Sequence, residues 1–105
     1  MIAYLDNSAT TKPCKSAKEN ILKAIDESWG NPSSLHSKGI EADMLLLESR
    51  RLIAKALSCD EKEIYFTSGG TEANNTAILG AVYARRKRGN RIVTTAIEHP
   101  SVLEV

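Results

Sequence analysis

A chain of 105 residues carries 14 Lys and Arg against 13 Asp and Glu, a net charge of +1, with 42% hydrophobic and 26% charged residues. That composition excludes the disordered and fibrous classes, and a charge this near zero supplies no long-range pull on nucleic acid or an anionic membrane. The length fits one ordinary domain burying roughly two thirds of the surface its unfolded form exposes, so partners must be argued from local sites.

Ile2 to Leu5 is a short apolar start that suits a strand, and the polar run DNSATTK follows it. The chain reaches Asp6 before an apolar run grows into a signal-peptide core, and the longest run elsewhere, residues 44–47, is far too short to span a membrane. Cys14 and Cys59 stand far apart, with no CxxC spacing and no neighbouring metal-ligand cluster, which fits a reducing, cytoplasmic location. Pro13 sits where a first helical turn tolerates it. Ala17, Ile21, Leu22, Ala24, Ile25 and Trp29 then recur on one helical face until Gly30-Asn31-Pro32 stops the helix.

Ser33-Ser34-Leu35-His36-Ser37 offers hydroxyl caps to a long helix expected from about residue 36 to 58. Leu46, Ile53 and Leu57 form one stripe, and Ile40, Met44, Leu47 and Ala54 a second. Glu41, Glu48 and Lys55 mark the polar face. Two apolar stripes predict two buried sides, as in a layered protein, with a dimer-forming helix as the alternative.

Ile64-Tyr65-Phe66-Thr67 reads as a strand, and residues 71–87 as a helix rich in Ala and Gly that can lie close on a sheet. The run Arg85-Arg86-Lys87-Arg88 before Gly89 suits a last helical turn and a C′ glycine better than a nucleic-acid patch. Arg91 to Thr95 is a further strand, so strand, helix and strand predict a parallel βαβ unit. The fold class expected is α/β, helices flanking a partial, mostly parallel sheet.

In such a sheet ligands bind beyond the C-terminal strand ends, where Ser68-Gly69-Gly70-Thr71 and the loop carrying His99 both fall. Backbone N–H groups at the start of the helix lack intrahelical partners and favour an anion such as a phosphate. Thr71 adds a hydroxyl donor. As a bare pattern SGGT fits neither the P-loop nor the dinucleotide fingerprint, and a plain strand-to-helix turn is the alternative. His99 can stack on a flat ligand or move protons near neutral pH, or simply cap a turn.

Four segments in order, YLDNSATTKP at 4–13, GNPSSLHSKG at 30–39, FTSGGTEANN at 66–75 and TTAIEHPSV at 94–102, resemble the NifS-like cysteine desulfurases. Those enzymes are a group within the class V aminotransferase family of pyridoxal-phosphate enzymes. The resemblance implies the N-terminal part of such an enzyme, with residues 1–12 bordering the active site and 13–105 forming the first part of an aspartate-aminotransferase-like large domain. It implies pyridoxal 5′-phosphate as cofactor, its phosphate held at Gly70 and Thr71, with His99 stacked on its ring and assisting proton transfer. Asn7, Ala9 and His36 become substrate-side candidates, with turn chemistry as their other reading. L-cysteine is the implied substrate, and a sulfur-acceptor protein for iron-sulfur or other sulfur-transfer pathways the implied partner. The expected assembly is a homodimer or other self-association, since two or three strands leave sheet edges uncovered.

The family's cofactor-holding lysine, the acidic partner of the pyridine nitrogen and the persulfide cysteine all match positions beyond residue 105. No lysine here sits in a matching motif, and Cys14 matches no family nucleophile, so the chain alone is expected to be inactive. The alternatives are a selenocysteine lyase, a non-catalytic oligomerisation module and a simple phosphate-binding domain.

Overall fold

The computed structural model describes residues 2–105, and its contacts group them into two compact units, Met1–Ile64 and Tyr65–Val105. The helices of the first unit are α1 (Lys15–Glu27) and α2 (Ser37–Leu57), followed by a 3₁₀ turn at Glu61–Glu63. The second unit holds α3 (Gly70–Arg85) and the single turn α4 (Pro100–Leu103).

The helices follow the periodic pattern closely, because their signals are local. Helix α2 begins at a His36 cap rather than a hydroxyl one, with the Gly39 amide donating to His36 Nδ1 at 3.3 Å. It ends where Ser58 turns left-handed (φ 55°), so the Ser58 and Cys59 amides fold back onto the Lys55 and Ala54 carbonyls. Asp60 then caps the short turn. The Lys62 amide donates to its carboxylate at 2.8 Å while the Asp60 amide donates to Glu63 Oε2 at 2.9 Å.

The loop between α1 and α2 is held by close backbone approach. Ser34 donates its amide to the Asn31 carbonyl at 2.9 Å, and Ser33 to Asn31 Oδ1 at 2.9 Å. This presses the loop against Gly39, where an added Cβ would collide with the Ser34 carbonyl and fall 2.8 Å from that of Asn31. Gly30 stands equally close to the Lys38 carbonyl. Neither glycine has a positive φ, so close contact and not backbone freedom is what each position requires.

The expected sheet does not form: among the described residues no strand is present. A strand's N–H and C=O groups need a neighbouring backbone, and Ile64 finds other partners. The Ile64 amide donates to the Glu61 carbonyl, and its own carbonyl accepts from the Arg50 guanidinium. Val93, in the second expected strand, is 87% exposed.

The apolar faces are correspondingly open. Ala42, Ala54 and Ile64 are the buried apolar residues, whereas Trp29 is 68% and Met44 65% exposed, so the stripes of α1 and α2 are not the covered faces the pattern predicts. The basic run is also placed differently from expectation. Helix α3 ends at Arg85, whose charge still favours the dipole, and Gly89 is not left-handed. Instead Arg85, Arg86 and Arg91 rim an apolar groove of about 500 Å³ floored by Ile78, Val82 and Ile92.

Candidate functional site

The site is assembled within the unit Tyr65–Val105 from the start of α3 and the loop into α4. Gly69 is fully extended (φ 168°, ψ −178°), so the chain enters α3 without left-handed strain. The first helical hydrogen bond runs from the Ala73 amide to the Gly69 carbonyl at 3.0 Å. The amides of Gly70, Thr71 and Glu72 therefore precede any intrahelical acceptor and give the helix start its partial positive charge. A Cβ added at Gly69 or Gly70 would meet nothing within 4 Å, so the bare backbone is open to a close approach.

Glu72 would oppose an anion there if its carboxylate faced the open amides. It is bonded instead to Ser68. The Ser68 amide and hydroxyl donate to Glu72 Oε2 at 2.7 and 2.6 Å. These two bonds, the hydroxyl's first and the amide's second, hold the Glu72 carboxyl below the usual carboxylate range.

The opposite wall comes from α4, whose first turn is capped by His99. The Ser101 amide donates to His99 Nδ1 at 3.1 Å, with Pro100 at the first helical position where no N–H is needed. Two adjacent asparagines of α3 bind this turn. Asn74 Nδ2 donates to Ser101 Oγ at 2.8 Å, and Asn75 Nδ2 donates to the Thr71 carbonyl at 2.9 Å and to that of Ser101 at 3.4 Å. Ser101, 8% exposed, is the best-buried polar residue described.

Between these walls lies a cleft of about 370 Å³ lined by Gly70, Thr71, Asn74, His99 and Ser101. A neighbouring space of about 280 Å³ shares Thr71, His99 and Ser101 and extends to Asn75 and Glu104. The structure thus brings Gly70, Thr71 and His99 onto one cleft. Open helix-start amides and a threonine hydroxyl suit the phosphate of an aromatic cofactor, and an exposed imidazole suits its ring. No lining residue is a lysine.

The other sequence candidates belong to the unit Met1–Ile64. Asn7 and Ala9 sit in a self-bonded turn. The Tyr4 hydroxyl donates to the Asp6 and Thr10 carbonyls at 3.0 Å each, the Ala9 amide donates to Asp6 at 3.2 Å, and Asn7 Nδ2 donates to the Tyr4 carbonyl at 3.5 Å. His36 serves as the cap of α2. Cys14, exposed at the α1 N-cap, has its thiol pKa lowered, first by the Ser16 hydroxyl 3.2 Å away and then by the Ala17 backbone.

The pattern of the aminotransferase class-V family matches residues 3–105. The chain belongs to that family. This class-V chain is 52% identical over 99 residues to a NifS/IcsS protein homolog of Lactobacillus delbrueckii subsp. bulgaricus, covering 94% of itself and 26% of that protein. It is 46% identical over 100 residues to a cysteine desulfurase IscS of Methanosarcina thermophila, covering 95% of itself and 25% of the relative. A solved NifS-like protein superposes with a TM-score of 0.87 at 39% identity, over 99% of this chain and 28% of that one. The chain therefore spans about a quarter of the length of the curated relatives it matches. The match supports the aminotransferase-like fold that the motifs imply, although the sheet itself is not formed among the described residues.

Sequence reasoning missed Asn74, Asn75 and Ser101 as parts of this cleft. One signal was available: two adjacent asparagines near the start of a helix are poor helix formers, and such residues need a reason to be there. Their reason is the bonding to Ser101, 26 and 27 residues away.

Proposed function

We propose that the chain supplies the N-terminal, phosphate-holding part of a pyridoxal-phosphate-dependent cysteine desulfurase acting on L-cysteine in the cytoplasm. The single observation that carries this reading is the shared cleft of Gly70, Thr71 and His99. The relatives named as cysteine desulfurases give the reaction its class.

The residues divide the work by chemistry. The unpartnered amides at the start of α3 and the Thr71 hydroxyl would bind the phosphate, in a position where the helix dipole favours a dianion. With Glu72 held by Ser68, its charge is kept in bonds to the same turn. His99, on the α4 side of the cleft, would meet the ring and could hold a proton there. Bound pyridoxal phosphate supplies an electron sink for carbanion chemistry at an amino acid, which no side chain can provide. Asn7, Ala9 and His36 border the substrate in this reading.

Borohydride reduction of the pure chain with pyridoxal phosphate, followed by peptide mass spectrometry, tests the assignment of parts. With no lysine lining the cleft, no single lysine is expected to be labelled, and cysteine is expected to yield no sulfide. One specifically labelled lysine together with sulfide release would overturn the division of labour. A second reading, a self-associating module, is favoured by the open stripes of α1 and α2.

A further inference from the structure

The hydrogen bonds around Ser101 carry one step beyond that reading, and rest on it for their functional meaning. A backbone N–H can only donate. Since the Ser101 amide donates to His99 Nδ1 at 3.1 Å, Nδ1 carries no proton in the neutral ring. The 2.8 Å contact between Nδ1 and Ser101 Oγ then has one consistent direction, hydroxyl to ring. The same hydroxyl oxygen accepts from Asn74 Nδ2 at 2.8 Å, so the donors run from Asn74 to Ser101 to His99, where the Ser101 amide and hydroxyl share the one Nδ1 lone pair.

We infer that Ser101 and Asn74 are positioning residues that hold neutral His99 in the Nε2–H tautomer. The ring thereby presents an N–H donor, not a lone pair, to whatever oxygen a ligand places in the cleft. Three features make this a built arrangement. Ser101 is buried, Asn74 is half-buried, and Asn75 holds the Ser101 carbonyl so that the turn keeps its place. The histidine would otherwise be free to exchange tautomers, as an exposed imidazole in water does. For an aromatic phosphate cofactor, a donor fixed at Nε2 recognises an oxygen substituent or a bound carboxylate and rejects a protonated nitrogen.

The tautomer is measured directly from long-range ¹H–¹⁵N ring correlations of the labelled chain, without added cofactor, well above the ordinary imidazole pKa of about 6.5. In the native chain His99 is expected to show one unprotonated nitrogen, Nδ1, and one protonated nitrogen, Nε2, well separated in shift. Ser101→Ala should shrink that separation, Ser101→Thr should restore it, and Asn74→Ala should move it the same way as Ser101→Ala but less. His36, the other histidine, lies in the unit Met1–Ile64 and should not change in any variant, and unchanged α3 amide shifts report that the unit Tyr65–Val105 remains folded. Two averaged nitrogens in the native chain would overturn the inference, as would a Ser101→Ala spectrum identical to the native one. Because no cofactor is present, a failure here is distinct from a failure to bind pyridoxal phosphate.

Discussion

At the scale of single residues, Glu72 shows a carboxylate clasped by the turn that precedes its own helix. Its carboxylate takes both donors of Ser68, and its folded pKa lies below the ordinary 4.5. A depressed carboxyl pKa means that the clasp is fully formed above the unfolded value and is lost as pH falls through the folded one. Exchange protection of the Ser68 amide is therefore expected to be steady above about pH 4.5 and to fall progressively below it. Glu72→Gln should abolish that dependence. Protection that stays constant through the acid range in the native chain would contradict the clasp. Ser101, Asn74 and Asn75 show the opposite side of residue-scale reading. Nothing in a serine after His-Pro identifies it as buried, because its partners come from a helix 26 and 27 residues earlier.

At the scale of elements, periodicity and caps predict what local physics decides. The long helix expected at 36–58 is found at Ser37–Leu57, and the one expected at 71–87 at Gly70–Arg85. The glycine turn and His99 were legible for the same reason, each lying at an element boundary marked by Gly or Pro. Strands at 64–67 and 91–95 were not decided locally, since a strand exists only when a neighbour satisfies its backbone. Ile64 illustrates the alternative, its carbonyl satisfied by Arg50. The tight junction before α2 makes a second element-scale prediction. Gly39→Ala forces the Ser34 and Asn31 carbonyls to move and is expected to cost roughly 1–3 kcal/mol, read as a lower urea midpoint of the helical signal. An unchanged midpoint would mean that the junction has slack.

At the scale of the whole molecule, the surface left open is the dominant fact. Apolar stripes left open on α1 and α2 are the features that drive chains to associate. Sedimentation is expected to show an average mass rising above 11.5 kDa with concentration. Met44→Gln with Leu57→Gln, at exposed positions on the two stripes of α2, should lower it. A monomer at every concentration would remove the basis for self-association. The proposed cofactor site joins helix-start amides, Thr71 and His99 on one cleft, and no lysine lines that cleft.

The most direct test of that central claim is a visible absorbance titration of the chain with pyridoxal phosphate, repeated on Thr71→Ala and His99→Ala. Saturable binding that inorganic phosphate displaces, weakened at least several-fold in each variant, is the predicted result. The absence of saturable binding, or binding indifferent to both substitutions, would contradict a cofactor site built from Gly70, Thr71 and His99.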